Sequence, residues 1–396
     1  MPTGEQAQKL KQRIRPSASV RSFPLEGGLL LLDDFTSRLF AYNDTASHVW
    51  DLLGAGCAEE ELAFELARTW GISLSRARGD IQSILTHWRI HGLLATNEMR
   101  AAPAPPETEA SAERDRTSPP AQCASEWICT IGRTTIAFAV EIDLLSPIRA
   151  MLAHLETPGA RSEARIVIRK GASNETVLIL DGIERVRTRD HGVLLGGLWQ
   201  AILERIHPNV EWLALIHGAA VARNGQGLAL CGPSGSGKST LTAGLISAGF
   251  DYLADDLVAV SAPGRTIVPW PVPISVKPNS FGVLMPYRPD VARAPIYRTK
   301  GMEARLLVPP PTAWDTNGVR LRCLIFPRFS DGTAAELQPL TTFQTIERLL
   351  TDRIWVGYPI TADRVTALLS LLNDTPAYAA VYGGLADGMR LIEDVT

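Results

Sequence analysis

Residues 232–239 read Gly-Pro-Ser-Gly-Ser-Gly-Lys-Ser, a spacing suited to holding phosphate. In the pattern G-x-x-x-x-G-K-[ST] the glycines free the backbone to turn, so that successive N–H groups and the positive end of the next helix converge on phosphate oxygens. Gly232, Pro233, Ser234, Gly235, Ser236, Gly237, Lys238, Ser239 and Thr240 are the candidate nucleotide-binding residues. Lys238 is expected to reach the β- and γ-phosphates and Ser239 to offer its hydroxyl to Mg2+ as a metal ligand, which makes ATP and Mg2+ the expected cofactors. His217 lies upstream of the loop, and Asp255 and Asp256 follow it. Two neighbouring acids can divide the work, one near the metal and one near an attacking hydroxyl, and burying the pair raises one pKa toward proton acceptance. Lys277 is a further candidate, a cation placed to meet a transferring phosphoryl group or else a solvated strand-end lysine.

The neighbouring elements must aim these groups. An apolar run over residues 227–231 predicts a strand entering the loop, and residues 239–248, with Leu241, Leu245 and Ile246, predict a helix leaving it. Asp255 and Asp256 fall within the strand-like run 252–260, where adjacent side chains point to opposite faces. Ahead of this core, residues 127–138, 164–169 and 177–180 read as strands, and 144–155 and 192–205 as helices. Residues 206–396 then form the nucleotide-binding core and C-terminal part, and 126–205 its N-terminal part.

Residues 97–125 are rich in Pro, Ala, Ser and Glu with almost nothing large and apolar, so they predict a disordered linker. Before it, residues 19–23, 28–33 and 38–42 read as strands, with a polar turn at 34–37. Asn43 offers an N-cap to a helix carrying Ala46, Val49, Trp50 and Leu53; a second helix carries Leu62, Leu66 and Trp70, and a third Ile81, Ile84, Leu85 and Trp88 before Gly92. A small sheet and three helices within residues 18–96 predict a winged helix-turn-helix of α+β type. DNA is not the expected ligand, because the third helix offers only Arg76, Arg78, His87 and Arg89 beside Asp80.

Bulk composition agrees. The chain has 396 residues, 45% hydrophobic and 20% charged, with a formal net charge of -3, too balanced for phosphate-tracking nucleic-acid binding. The basic cluster from Arg288 to Arg305 reads as a mobile loop near an anionic substrate. Cys57, Cys123, Cys129, Cys231 and Cys323 are odd in number and scattered, as expected of reduced thiols rather than a disulfide framework or zinc site. With no signal-like N-terminus and no long apolar run, the expected location is cytoplasmic, with no membrane partner.

The first unit resembles the PqqD-like family, small domains that recognise leader peptides of ribosomally made, post-translationally modified peptides. The match rests on GGLLLLDDFTSRLFAYNDTASHVWDLL, the helix EEELAFELA and the ending His91-Gly92-Leu93-Leu94. The resemblance implies that a leader peptide adds as a strand to the small sheet beside the third helix. The second unit, residues 126–396, resembles the HPr kinase/phosphorylase family, whose serine kinases share a nucleotide fold with phosphoenolpyruvate carboxykinases. IHGAAV at 216–221, GPSGSGKST at 232–240 and GFDYLADD at 249–256 carry that match. The implied fold class is an α/β P-loop kinase domain of HPr kinase/PEP carboxykinase type. Implied roles are an active-site residue for His217, phosphate contact for Lys238, a magnesium ligand for Ser239, the proton acceptor for Asp256 and metal or water placement for Asp255.

Two departures narrow the expectation. Pro273-Ile274-Ser275-Val276-Lys277 replaces the family's Glu-and-Arg signature, and no acid occurs between Asp256 and Asp290. The glycine-rich stretch that true HPr kinases use is also missing, so HPr is not the expected substrate. The expected function is ATP-dependent phosphorylation of a serine hydroxyl on a precursor peptide, such as a lasso-type precursor, captured through its leader. Other peptide-maturation enzymes and a homo-oligomer are further expected partners. Two alternatives stay open: a catalytically degenerate nucleotide-binding escort or scaffold for the precursor, and a kinase of a small hydroxylated metabolite.

Overall fold

The computed structural model describes residues 14–95 and 125–396, except 142–147, 172–173, 271, 300–301, 311–317, 353 and 358. The expected linker, apart from Ser125, and Cys123 lie outside the described residues. The chain forms two compact units that do not follow chain order. One takes residues 1–112, 340–351 and 356–374; the other takes 113–339, 352–355 and 375–396.

In the first unit β1 (Val20–Leu25), β2 (Gly28–Asp33) and β3 (Arg38–Asn43) make an antiparallel sheet in that order. The polar turn after β2 is organised by the buried Asp33 carboxylate, which accepts from Ser19 Oγ at 3.0 Å, Phe35 N–H at 3.1 Å and Thr36 Oγ at 2.8 Å. The Asn43 side chain then accepts from Ala46 N–H at 3.1 Å, the capping bond expected, and starts α1 (Asp44–Gly54). α2 (Glu59–Trp70) ends on Gly71 at φ 63°, and α3 (Leu74–Ile90) is capped by Ser73 and followed by Gly92 at φ 63°. Leu29 and Leu31 pack in one core with Val49, Trp50, Leu53, Leu62, Leu66, Ile81, Leu85 and Trp88. Each leucine fully buried there contributes about 1.5–3 kcal/mol.

Strand alternation sends Leu30 and Leu32 to the opposite face, and both are fully buried too. Two helices from late in the sequence, Thr342–Thr351 and Ala362–Asp374, belong to this unit. The first packs on β3, and its Phe343 ring sits against Gly27 and Gly28 so closely that a Cβ on Gly28 would come within 2.4 Å of it.

The second unit opens with a five-stranded sheet, β4 (Ser125–Ile131), β5 (Thr134–Val140), β6 (Ala164–Lys170), β7 (Thr176–Leu180) and β8 (Ile183–Thr188), ordered as in sequence. The run 127–138, expected as one strand, is a hairpin instead, because Gly132 at φ 59° turns the chain between β4 and β5. Of the expected helix 144–155, residues 148–152 are α-helical and Ala153–Leu155 form a 3-10 turn, while 144–147 lie outside the described residues. α4 (His191–Ile206) follows β8, its N-terminus capped by Asp190.

A ten-stranded sheet then carries the phosphate loop. β9 (Trp212–Ile216), β10 (Gly218–Arg223), β11 (Gln226–Cys231) and α5 (Lys238–Ser247) follow in chain order, then β12 (Asp251–Ala254), β13 (Val258–Ser261) and β14 (Thr266–Val268). β18 (Val319–Phe329), β19 (Glu336–Pro339), β20 (Ile354–Trp355) and β21 (Ala377–Tyr382) complete it. The path runs β12-β10-β11-β18-β14-β13-β9-β20, with β21 beside β18 and β19. β15 (Ile274–Val276), β16 (Ile296–Thr299) and β17 (Met302–Leu307) make a separate three-stranded sheet. The basic segment read as a loop therefore contains paired strands, and three of its arginines are engaged: Arg288 pairs with Asp290, Arg298 with Glu303, and Arg305 donates to the carbonyls of Ala292 and Ala294.

Candidate phosphoryl-transfer site

One turn sets the register of the site. Asn224 and Gly225, at φ 53° and 73°, link β10 to β11 with Arg223 opposite Gln226, the two-residue connection whose twist suits a tight hairpin. Its far end then places Gly218 opposite Cys231, so His217 stands beside the start of the phosphate loop. β12 pairs with the other side of β10, Ala220 opposite Ala254, which brings Asp255 and Asp256 to the same end. Three segments distant in sequence thus deliver His217, Gly232 and the two aspartates to one place.

Gly232, Gly235 and Gly237 have φ of 135°, 92° and 104°, values that an L side chain seldom adopts. A Cβ on Gly237 would also meet Tyr382 Oη at 2.8 Å. Gly237 is the N-cap of α5, so the loop ends at the helix's positive end. Lys238, only 8% exposed, donates to the carbonyl of Gly232 and to that of Pro233 at 3.2 Å. Burial pushes its pKa below the usual lysine range, opposed by the charges of Asp352 and Asp255.

Asp255 is 3% exposed and accepts from Ser239 Oγ at 3.1 Å and from Ser275 N–H at 3.1 Å. Burial and the neighbouring Asp256 charge push its carboxyl up to about 7, with those two hydrogen bonds acting the other way. Asp256 has a half-exposed side chain, with one oxygen 3.7 Å from His217 Nδ1. The continuous strand expected over 252–260 is interrupted here. Asp256 sits at φ 69° and Leu257 N–H bonds back to Asp255 O at 2.8 Å, which separates β12 from β13 and turns the second acid toward His217. The turn, rather than strand alternation, divides the two carboxylates.

The site's cavity is lined by all the expected groups from Ser234 through Thr240 except Ser236, and by His217, Asp255, Asp256 and Lys277. Lys277 Nζ donates to Ser234 Oγ at 2.9 Å, tying β15's end to the loop. Ser236 is placed differently: its Oγ is buried beneath Gly232 and has no hydrogen-bond partner. The hydroxyl of Ser239 and carboxylate of Asp255 suit a hard divalent cation such as Mg2+, which takes one or two protein oxygens together with phosphates and water. Among the described residues no group of three or more His, Cys, Asp and Glu side chains gathers as a metal site.

Three contributors lacked a sequence signal: the Ser275 N–H that orients Asp255, Tyr382 against Gly237, and the Ser280 hydroxyl 2.6 Å from Thr240 Oγ. Each comes from an element that carries no motif of its own.

Comparison with known proteins bears on the first unit. The family model for coenzyme PQQ synthesis protein D (PqqD) matches residues 28–94. No curated protein matches the chain. Among solved structures, "TbiB1 in Complex with the TbiA(beta) Leader Peptide" is 21% identical, with 22% of this chain and 99% of that one covered and a TM-score of 0.20. "Lasso peptide synthetase B1 complexed with the leader peptide" is also 21% identical, with 21% and 99% covered and the same TM-score of 0.20. β2, β3 and the three helices thus lie within a segment that is PqqD-like in sequence, and residues 28–94 form a PqqD-like domain.

Proposed function

We propose that the chain is an ATP-dependent kinase that phosphorylates a hydroxyl, foremost a serine, on a precursor peptide whose leader is held by the PqqD-like domain. The observation that carries the kinase half is the joint placement of the phosphate loop, Lys238 and a half-exposed Asp256 around one cavity. Loop amides and Lys238 hold the triphosphate, while Asp256 takes the proton of the substrate hydroxyl. That oxygen bonds to the γ-phosphorus as the bond to the β–γ bridging oxygen breaks, and ADP leaves. Ser239 and Asp255 would hold Mg2+, which would supply screening of the phosphate charge. Positioning and charge neutralisation supply most of the rate in such transfers.

His217, 3.7 Å from Asp256, keeps the base directed at the cavity. Support for the peptide half is the match of residues 28–94 to the PqqD family. A leader adding to a sheet edge would use main-chain hydrogen bonds for affinity and side-chain pockets for choice.

The test is transfer of label from γ-labelled ATP to a synthetic precursor peptide encoded by the neighbouring reading frame. Wild type should label the peptide and Lys238→Ala should cut the rate at least about 100-fold. Absence of label with wild type, or equal labelling by Lys238→Ala, overturns the reading.

A further inference from the structure

The sheet β15-β17-β16 has two unlike faces. Ser275 lies opposite Leu306 and Tyr297 opposite Ala304, so strand alternation puts these four side chains on one face. Ile274, Val276 and Leu307 point the other way, into the core around α5. Arg298, Glu303 and Arg305 take that second face too: Arg298 pairs with Glu303, and Arg305 lies over the Phe281 ring. Every charged residue of β16 and β17 is thus turned away from the first face.

The first face is a wall of the cavity that holds the phosphate loop and the two aspartates. Ser275, Tyr297 and Leu306 line that cavity, as do Met151 and Leu195. Tyr297, 7% exposed, packs with Ala304 and Leu306 in a small core of their own, and Ala150, the neighbour of Met151, packs on it. β15 fixes where along the site this wall stands. Ser275 N–H holds Asp255, and two residues further on Lys277 Nζ holds Ser234 of the loop. Leu306, opposite Ser275, is therefore level with the aspartates. Burial, and after it the Asp256 charge, pushes the Tyr297 phenol above the usual tyrosine range, in keeping with a ring that faces the base.

A hydroxyl that reaches Asp256 brings the residue next to it against this wall. A carboxylate there would lose water, find no cation facing it from β16 or β17, and meet Asp256 as a like charge. An ammonium would have Asp256 as its partner and would keep that carboxylate from the hydroxyl proton. An apolar side chain carries neither cost and gains burial.

We propose that Tyr297 and Leu306 are specificity-determining residues for the acceptor: with Met151 they form a subsite for an uncharged, apolar side chain next to the phosphorylated serine. The proposal rests on the kinase reading above and names the class of residue beside the hydroxyl. The competing occupant of such a wall is the adenine of ATP, and the test separates the two.

The test uses the full chain and the precursor peptide of the labelling assay, with each residue flanking its labelled serine set in turn to Leu, Asp and Lys. kcat/KM should be about 30-fold higher for Leu than for Asp or Lys. Leu306→Ala should raise the KM of the Leu peptide about tenfold and leave the KM for ATP within about twofold. Met151→Lys, which sets a cation on the wall and serves if Leu306→Ala does not fold, should cut the preference for Leu over Asp to less than about threefold. Equal kcat/KM for the three peptides overturns the proposal and leaves the kinase reading intact. So does a raised KM for ATP in both variants with peptide preference unchanged, which would give the wall to adenine. No labelling of the natural precursor by wild type sinks the kinase reading and this proposal with it.

Discussion

At the scale of single residues the proposed kinase reading assigns binding and proton transfer to different groups, and the separation can be measured. The Asp256 carboxylate lies 3.7 Å from His217, whereas Ser239 bonds to Asp255. Asp256→Asn should therefore leave nucleotide affinity within about threefold of wild type while lowering the transfer rate about 100-fold or more, seen as a fall in kcat with little change in KM for ATP. Gly237 argues the reverse case. A methyl there would sit in a backbone conformation at φ 104° and 2.8 Å from Tyr382 Oη, so Gly237→Ala should cost binding first. Strain of about 1–3 kcal/mol corresponds to a loss of roughly five- to 150-fold in nucleotide affinity by calorimetry. The loop was legible because its glycines, lysine and serine must be contiguous to surround a phosphate. Tyr382 was not, since a side chain that supports the loop from outside can arrive from any strand that ends nearby.

At the scale of elements, the parts read correctly from sequence are those with local causes. Asn43 as a cap, the 3.6-residue spacing of Ile81, Leu85 and Trp88, and the apolar run into the loop each depend on a few neighbouring residues. The misreadings share a different cause. A hairpin at Gly132 and a break at Asp256 both lie inside apolar runs, and there periodicity gives no sign of a reversal that one positive-φ residue makes. The junction between α4 and β9 supports a pH prediction of its own. His207 closes α4, its N–H bonding to Leu203 O, and its ring meets Trp212 edge-on at 5.9 Å. Burial lowers its pKa below the ordinary 6.5, so the folded state favours the neutral ring. Its contribution to stability is complete above the unfolded value and is lost as pH falls through the folded one. Thermal melting of wild type should consequently fall more steeply between about pH 7 and pH 5 than that of His207→Gln, and parallel curves would remove His207 from the account.

At the scale of the molecule, chain order misleads about what can be cut away. The helices Thr342–Thr351 and Ala362–Asp374 belong with the PqqD-like sheet, and they bury Phe343, Ile346, Leu349, Val365, Leu368 and Leu372. A chain starting at Glu126 would keep both helices and lose β1 to β3, leaving Phe343 without Gly27 and Gly28. That truncated chain should bind an apolar-surface dye and melt more than about 5 °C below the full chain, whatever its substrate. Capture of a leader is consequently better tested on the intact chain, by dividing the peptide instead. A leader held by one domain raises the local concentration of the attached hydroxyl to roughly millimolar, which lowers KM without altering the chemical step. The core peptide alone should be phosphorylated with kcat within about threefold of the whole precursor and a KM raised about 100-fold or more. Free leader added in trans should raise the KM of the whole precursor and leave that of the core peptide unchanged. Equal KM values for core and precursor would mean that the hydroxyl is selected at the phosphate loop alone, and the small-metabolite kinase would then become the better description of the chain.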